Sequence, residues 1–110
     1  MTLIIKREET FTNDESESTI VGYGECGIEA KWEITSDGVM TIYGKGAMYD
    51  YGRYDRPWRT YDVKKVIIDD GITYIGNYAF YGLEEVVSAF MSDTVKKLGD
   101  DTFDSCISLQ

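Results

Sequence analysis

From residue 28 onward the chain alternates between apolar and polar positions. Ile28, Ala30, Trp32 and Ile34 alternate with Glu29, Lys31 and Glu33, the period of a strand with one buried and one wet face. Ser36, Asp37 and Gly38 supply a turn, with Gly38 free to take positive φ. Beyond it Met40 and Ile42 alternate with Val39, Thr41 and Tyr43, so the stretch predicts a hairpin. Gly44–Lys45–Gly46 ends it. Upstream, residues 2–7 and 19–24 are also strand-like, around the polar, acidic run 8–18. A hairpin of Thr2–Arg7 with Ser18–Tyr23 fits, and a disordered acidic tail is the alternative. Residues 47–62 have no period. Pro57 speaks against a regular element through them, so an ordered loop is expected, with one helical turn after the proline.

A second pattern starts at Val63. Val66 and Ile68 share one face of a strand and Gly71 turns the chain. Ile72, Ile75, Ala79, Phe80 and Leu83 are the next apolar positions. Gly76 predicts a tight turn, and Asn77 can cap a short helix through Phe80, with a new strand at Val86. The pattern returns 23 residues on. Asp70 meets Asp93, Ile72 meets Val95, Ile75 meets Leu98, Gly76 meets Gly99, Phe80 meets Phe103, Leu83 meets Cys106 and Val86 meets Leu109. Repeated inward positions with free variation outside are the mark of coils that stack on one another. The period falls in the leucine-rich repeat range of about 20 to 29 residues.

The repeated segments, IGNYAFYGLEEV and LGDDTFDSCISL, resemble the units of the bacterial BspA-like leucine-rich repeat family: an Ile-Gly, a nearby Ala-Phe, then Gly-Cys or Ser-Cys and a leucine. The run upstream is similar to the non-repetitive module that often precedes those units. Its Gly-x-Cys-Gly is Gly24–Gly27, its tryptophan Trp32, its Gly-x-Gly Gly44–Gly46 and its Pro-Trp Pro57–Trp58. The resemblance covers about residues 22–109. It implies a β-rich α+β fold, with an N-terminal β cap module over residues 22–62 and a short leucine-rich-repeat solenoid of about two 23-residue units over 63–110. Residues 1–21 lie outside the resemblance and are expected to add a strand and acidic-loop extension, the whole being expected to make one domain of 110 residues. Two positions depart from the family pattern. Met91–Ser92 stands where Ile-Pro is usual, and Thr102 where alanine is usual.

Charge and composition narrow the function. The net charge is −9, with no histidine. Such a surface repels bare nucleic acid and anionic membrane and suits a basic protein partner. Cys26 and Cys106 lie far apart and are expected to be free thiols. Without histidine or a paired cysteine motif there is no zinc pattern, and no nucleophile has a base to activate it. The paired acids Asp69–Asp70, Glu84–Glu85 and Asp100–Asp101 fall at turns, where solvation keeps them ordinary carboxylates. A non-enzymatic protein with no cofactor and no metal is the expectation. Tyr49, Tyr51, Tyr54, Trp58 and Tyr61 crowd into 13 residues. Tyrosine and tryptophan anchor interfaces because they bury a large area and keep a polar handle. Trp58 is expected in the core. Tyr49, Tyr51 and Tyr54 are the candidate anchors, and Asp14, Glu15, Glu17, Asp100, Asp101 and Asp104 the candidate charged contacts.

Two readings follow. The first is an acidic inhibitor that blocks the basic nucleic-acid-binding groove of a partner, in the manner of phage DNA mimics and anti-CRISPR proteins, and acts in the cytoplasm of a bacterial host. The second, implied by the resemblance, is a fragment or short relative of a cell-surface adhesion protein. The run at Leu3–Ile5 is too short, and wrongly flanked by its basic residues, for a signal peptide. The C-terminal repeat edge is a candidate homodimer contact.

Overall fold

The protein was analysed as a computed structural model, which describes residues 18–109. Eight strands occur among them: β1 (Ile20–Glu25), β2 (Ala30–Thr35), β3 (Val39–Gly44), β4 (Gly46–Ala47), β5 (Lys65–Ile68), β6 (Ile72–Ile75), β7 (Ser88–Met91) and β8 (Lys97–Leu98). The first sheet has the order β1-β2-β3-β5-β7, and the second β4-β6-β8. The hairpin read from the alternation is β2–β3, antiparallel with Trp32 opposite Ile42. From β3 onward pairing is parallel, Met40 beside Val66 beside Ala89 in the first sheet and Tyr74 beside Lys97 in the second. β1 pairs with β2. Its expected partner, Thr2–Arg7, lies outside the described residues, as do Asp14, Glu15 and Glu17.

The segment read as a cap is itself a coil of the stack. β3 and β4 pair in parallel with β5 and β6, just as β5 and β6 pair with β7 and β8. Two side chains at equivalent places confirm it. Asp50 Oδ1 accepts the Asn77 N–H at 2.9 Å, and Asn77 Oδ1 accepts the Asp100 N–H at 2.7 Å. The residues at 50, 77 and 100 therefore form one ladder that runs through three coils. The first step, Val39 to Lys65, is 26 residues long, whereas Lys65 to Ser88 is 23.

The helix expected through Phe80 does not form, nor does a helical turn after Pro57; no helix occurs among the described residues. Tyr78 and Gly82 sit at positive φ (57° and 69°), and so do Asp101 (54°) and Ser105 (63°) in the next coil. Left-handed residues every fourth position break a right-handed helix. Around them run four-residue turns, such as Tyr81 N–H to Tyr78 O and Leu83 N–H to Phe80 O. The N–H groups of Tyr78, Phe80 and Gly82 instead donate to the next coil, at Asp100, Thr102 and Asp104 O (2.9, 2.9 and 2.8 Å). A helix would have kept them for itself, so this side of the coil is a strip of turns welded to its neighbour. The repeated glycine has a related reason. A side chain on Gly76 would collide with the Tyr49 carbonyl, and one on Gly99 with Asn77 N at 2.5 Å. Backbones of successive coils touch there.

The core follows the inward positions. Trp58, Phe80, Ile34, Met40, Ile42, Ile68, Ile72 and Ile75 are fully buried. Phe80 stacks on Phe103 with centroids 5.2 Å apart at 29°, the register expected from the repeat, although Phe103 is only half-buried. Trp58 donates its indole N–H to Ala79 O at 2.8 Å and meets Trp32 edge-on at 5.4 Å. Three sequence expectations shift. Leu98, the match of buried Ile75, is exposed. Ile28 is 91% exposed, because Cys26 N–H bonds Ala30 O and the chain bends before the strand begins at Ala30. Val86 is buried in the last turn, and its strand starts two residues later, at Ser88.

Candidate protein-binding surfaces

The outward face of the first sheet is the larger surface. Strand register places Tyr23, Glu33, Thr41, Ile67 and Phe90 in one row across five strands. Four strand spacings of about 4.8 Å make that row roughly 19 Å long. Its two ends are aromatic and wet, Tyr23 at 77% and Phe90 at 63% exposure. β1 turns its tyrosine outward because its inward positions are Gly22 and Gly24, whose places are taken by the rings of Tyr61 and Trp32.

The turn strip carries the second surface. Tyr51 meets Trp58 edge-on at 5.2 Å and packs against the core. Burial raises its pKa, and the neighbouring Cys26 and Tyr49 add to the shift. Tyr49 and Tyr54 are exposed. Around Tyr54 the structure brings together residues that the sequence pattern did not single out, namely Arg53, Arg56 and Arg59. Arg59 lies 5.9 Å from the Tyr54 ring. Arg53 lies 5.8 and 5.6 Å from Tyr78 and Tyr81, and Arg56 5.8 Å from Tyr81. Arg56 is buried. Its guanidinium donates to the carbonyls of Gly52 (3.4 Å), Arg53 and Tyr81 (2.9 Å), which ties the loop to the first repeat. Its signal lay in spacing alone: three arginines at every third position around Pro57.

Residues 58–110 match the family described as "BspA type Leucine rich repeat region (6 copies)". The described coils also overlay a crystal structure at 2.50 Å resolution of a leucine-rich repeat protein from Eubacterium ventriosum ATCC 27560. The TM-score is 0.70 and the identity 30%, over 76% of this chain and 24% of that one. The repeat region of this chain, residues 58–110, is of the BspA leucine-rich repeat type. The chain spans about a quarter of the solved relative. No curated protein matches it.

Both departures from the BspA-type pattern are satisfied locally. Ser92 is buried and its hydroxyl donates to Asp70. Thr102 is buried and donates to Gly99 O at 2.9 Å. Nine of the fifteen acids among the described residues divide among three corners of the coil; the others, Glu33 on the sheet face among them, belong to the first coil. Asp69, Asp70 and Asp93 are exposed after the first-sheet strands, Asp100, Asp101 and Asp104 on the last turn strip, and Asp62, Glu84 and Glu85 before the first-sheet strands. Glu85 is paired with Lys64 at 2.9 Å. Asp50 has its pKa lowered by hydrogen bonds from the Tyr74 hydroxyl (2.6 Å) and Asn77 N–H. Cys26 is a buried free thiol that burial pushes up to about 12. Cys106, also free, donates to Phe80 O at 2.9 Å. Among the described residues no cluster of three or more Asp, Glu or Cys could hold a metal ion, and no helix is long and apolar enough to cross a membrane.

Proposed function

We propose that this chain is the protein-binding part of a BspA-type repeat protein, and that it docks its partner on the outward face of the first sheet. The observation that carries this reading is the row Tyr23, Glu33, Thr41, Ile67 and Phe90, aromatic at both ends and rigidly spaced by strand pairing. Aromatic side chains held on a rigid sheet lose little entropy on binding and fill partner pockets. The adhesion-type role fits this reading better than the acidic-inhibitor role. Mimicry of nucleic acid needs carboxylates at regular steps along one face, whereas nine of the fifteen described acids are split among three corners and the other six are scattered over the first coil.

Photo-cross-linking tests the proposal. A benzophenone amino acid is placed at Tyr23, at Phe90, or at Thr73, which is exposed on the second sheet. In the native host, Tyr23 and Phe90 should capture one common partner and Thr73 should not. Equal capture from all three positions, or different proteins from Tyr23 and Phe90, would refute it.

A further inference from the structure

The groove between the arginine loop and the turns of both repeats is distinct from the sheet face. It encloses about 340 Å³ and is lined by Arg53, Tyr54, Arg56, Arg59, Tyr81 and, on its wall, Glu84. We propose that this groove is a second site, which grips a glutamate or aspartate side chain of a protein partner.

Four observations converge on it. Arg56 is 94% buried, at 6% exposure, yet every acceptor it has is a backbone carbonyl, and its Nε has no hydrogen-bond partner. Burial, then the nearby Arg59, destabilises its charged form. A buried cation without a carboxylate gains most from an arriving anion. Second, among the described residues no carboxylate lies within 4.0 Å of any of the three guanidinium groups, whereas Lys45 and Lys64 both have acidic partners. Third, Arg53 and Arg59 rest on tyrosine rings, so their side chains are held in place before any ligand comes. Fourth, the guanidinium fork matches a planar carboxylate with two parallel hydrogen bonds.

The surroundings set the size of the ligand. Glu84 lines the wall, Asp55 attracts Arg56, and Asp104 is exposed one residue before Ser105, which also borders the groove. The local field is close to neutral, and the whole chain carries −9. A polyanion needs several uncompensated cations. A single carboxylate needs only the short-range fork.

The test is an NMR titration of the whole chain with a blocked hexapeptide containing two glutamates, beside the same peptide with glutamines and a heparin oligosaccharide. The glutamate peptide should shift the Arg56 and Arg59 Nε–H signals and the amides of Tyr81, Gly82 and Ser105. The exposed variants Arg53→Ala and Arg59→Ala should each weaken its Kd about tenfold, and Glu84→Gln should tighten it. Tryptophan fluorescence verifies that each variant is folded. Equal response to the glutamine peptide, an unchanged Kd in both arginine variants, or response to heparin alone would overturn the site. Because Tyr23 and Phe90 lie elsewhere, the sheet-face reading stands or falls separately.

Discussion

Gly76→Ala offers the sharpest probe of the stack. The added methyl would lie 2.7 Å from the Tyr49 carbonyl carbon and closer still to its oxygen. Ordinary contact begins at 3.4 Å, so the coils must part by at least 0.7 Å (3.4 less 2.7). Three hydrogen bonds from backbone donors flank Gly76 across that seam: Met48 N–H to Tyr74 O and Tyr51 N–H to Asn77 O, both 3.0 Å, and Asn77 N–H to Asp50 Oδ1, 2.9 Å. Parting stretches all of them beyond useful length. At about 0.5–1.5 kcal/mol each the loss is roughly 1.5–4.5 kcal/mol, less about 0.4–1 kcal/mol regained from the stiffer unfolded chain. Gly82→Ala is the control. Nothing lies within 4 Å of its methyl, and only its φ of 69° resists, a cost of about 1–2 kcal/mol. Urea unfolding followed by Trp32 and Trp58 fluorescence should place the Gly76 variant clearly below the Gly82 variant. Equal midpoints would refute the claim that close contact between coils is what fixes the repeat glycine.

Four further outcomes are expected. Phe80→Ala should destabilise by about 3–5 kcal/mol and Phe103→Ala by less, since only Phe80 is fully buried; equal losses in chemical unfolding would contradict the packing. Asp50 has a lowered pKa, so its contribution is present above the unfolded carboxylate pKa and is lost as pH falls through the folded value; Asp50→Asn should flatten the acid limb of a stability–pH curve. Its partner Tyr74 is raised from 10.0 to about 12, chiefly by the Asp50 hydrogen bond. That contribution is full below pH 10 and fades as pH rises through about 12, and Tyr74→Phe should shrink the alkaline limb by its share, leaving that of Cys26 and Tyr51. Iodoacetamide at pH 8, read by mass spectrometry, should label Cys106 before Cys26, because Cys26 is the more deeply buried thiol.

The sequence made the repeat legible because inward positions are chosen for volume, and volume recurs: Ile72 with Val95, Phe80 with Phe103. The hairpin was legible for the same reason, through the strict alternation around Trp32 and Ile42. The first coil was hidden because its contribution to the stack is mostly backbone. β4 is two residues long, its ladder residue is Asp50 in place of Asn77, and its step is three residues longer. The false helix came from spacing that suits either a helix or a row of tight turns. Positive φ at Tyr78 decides between them, and tyrosine gives no hint of it. Of the candidate anchors, Tyr49 and Tyr54 are exposed as an interface requires, while Tyr51 belongs largely to the core. The arginine groove was illegible because its members come from three coils, and net charge points away from it.

The turn strip is vectorial. Tyr51, Tyr78, Phe80 and Gly82 each donate an N–H forward, to the coil that follows. The matching donors of the last described coil, Asp101, Phe103 and Ser105, find no acceptor among the described residues. The forward donors of each coil are thus held by its successor, and those of the last described coil are the least protected. Deuterium should enter the strip as a wave, reaching Phe103 first, Phe80 next and Tyr51 last, so that the amides record elapsed time along the chain the way rings record it across a trunk.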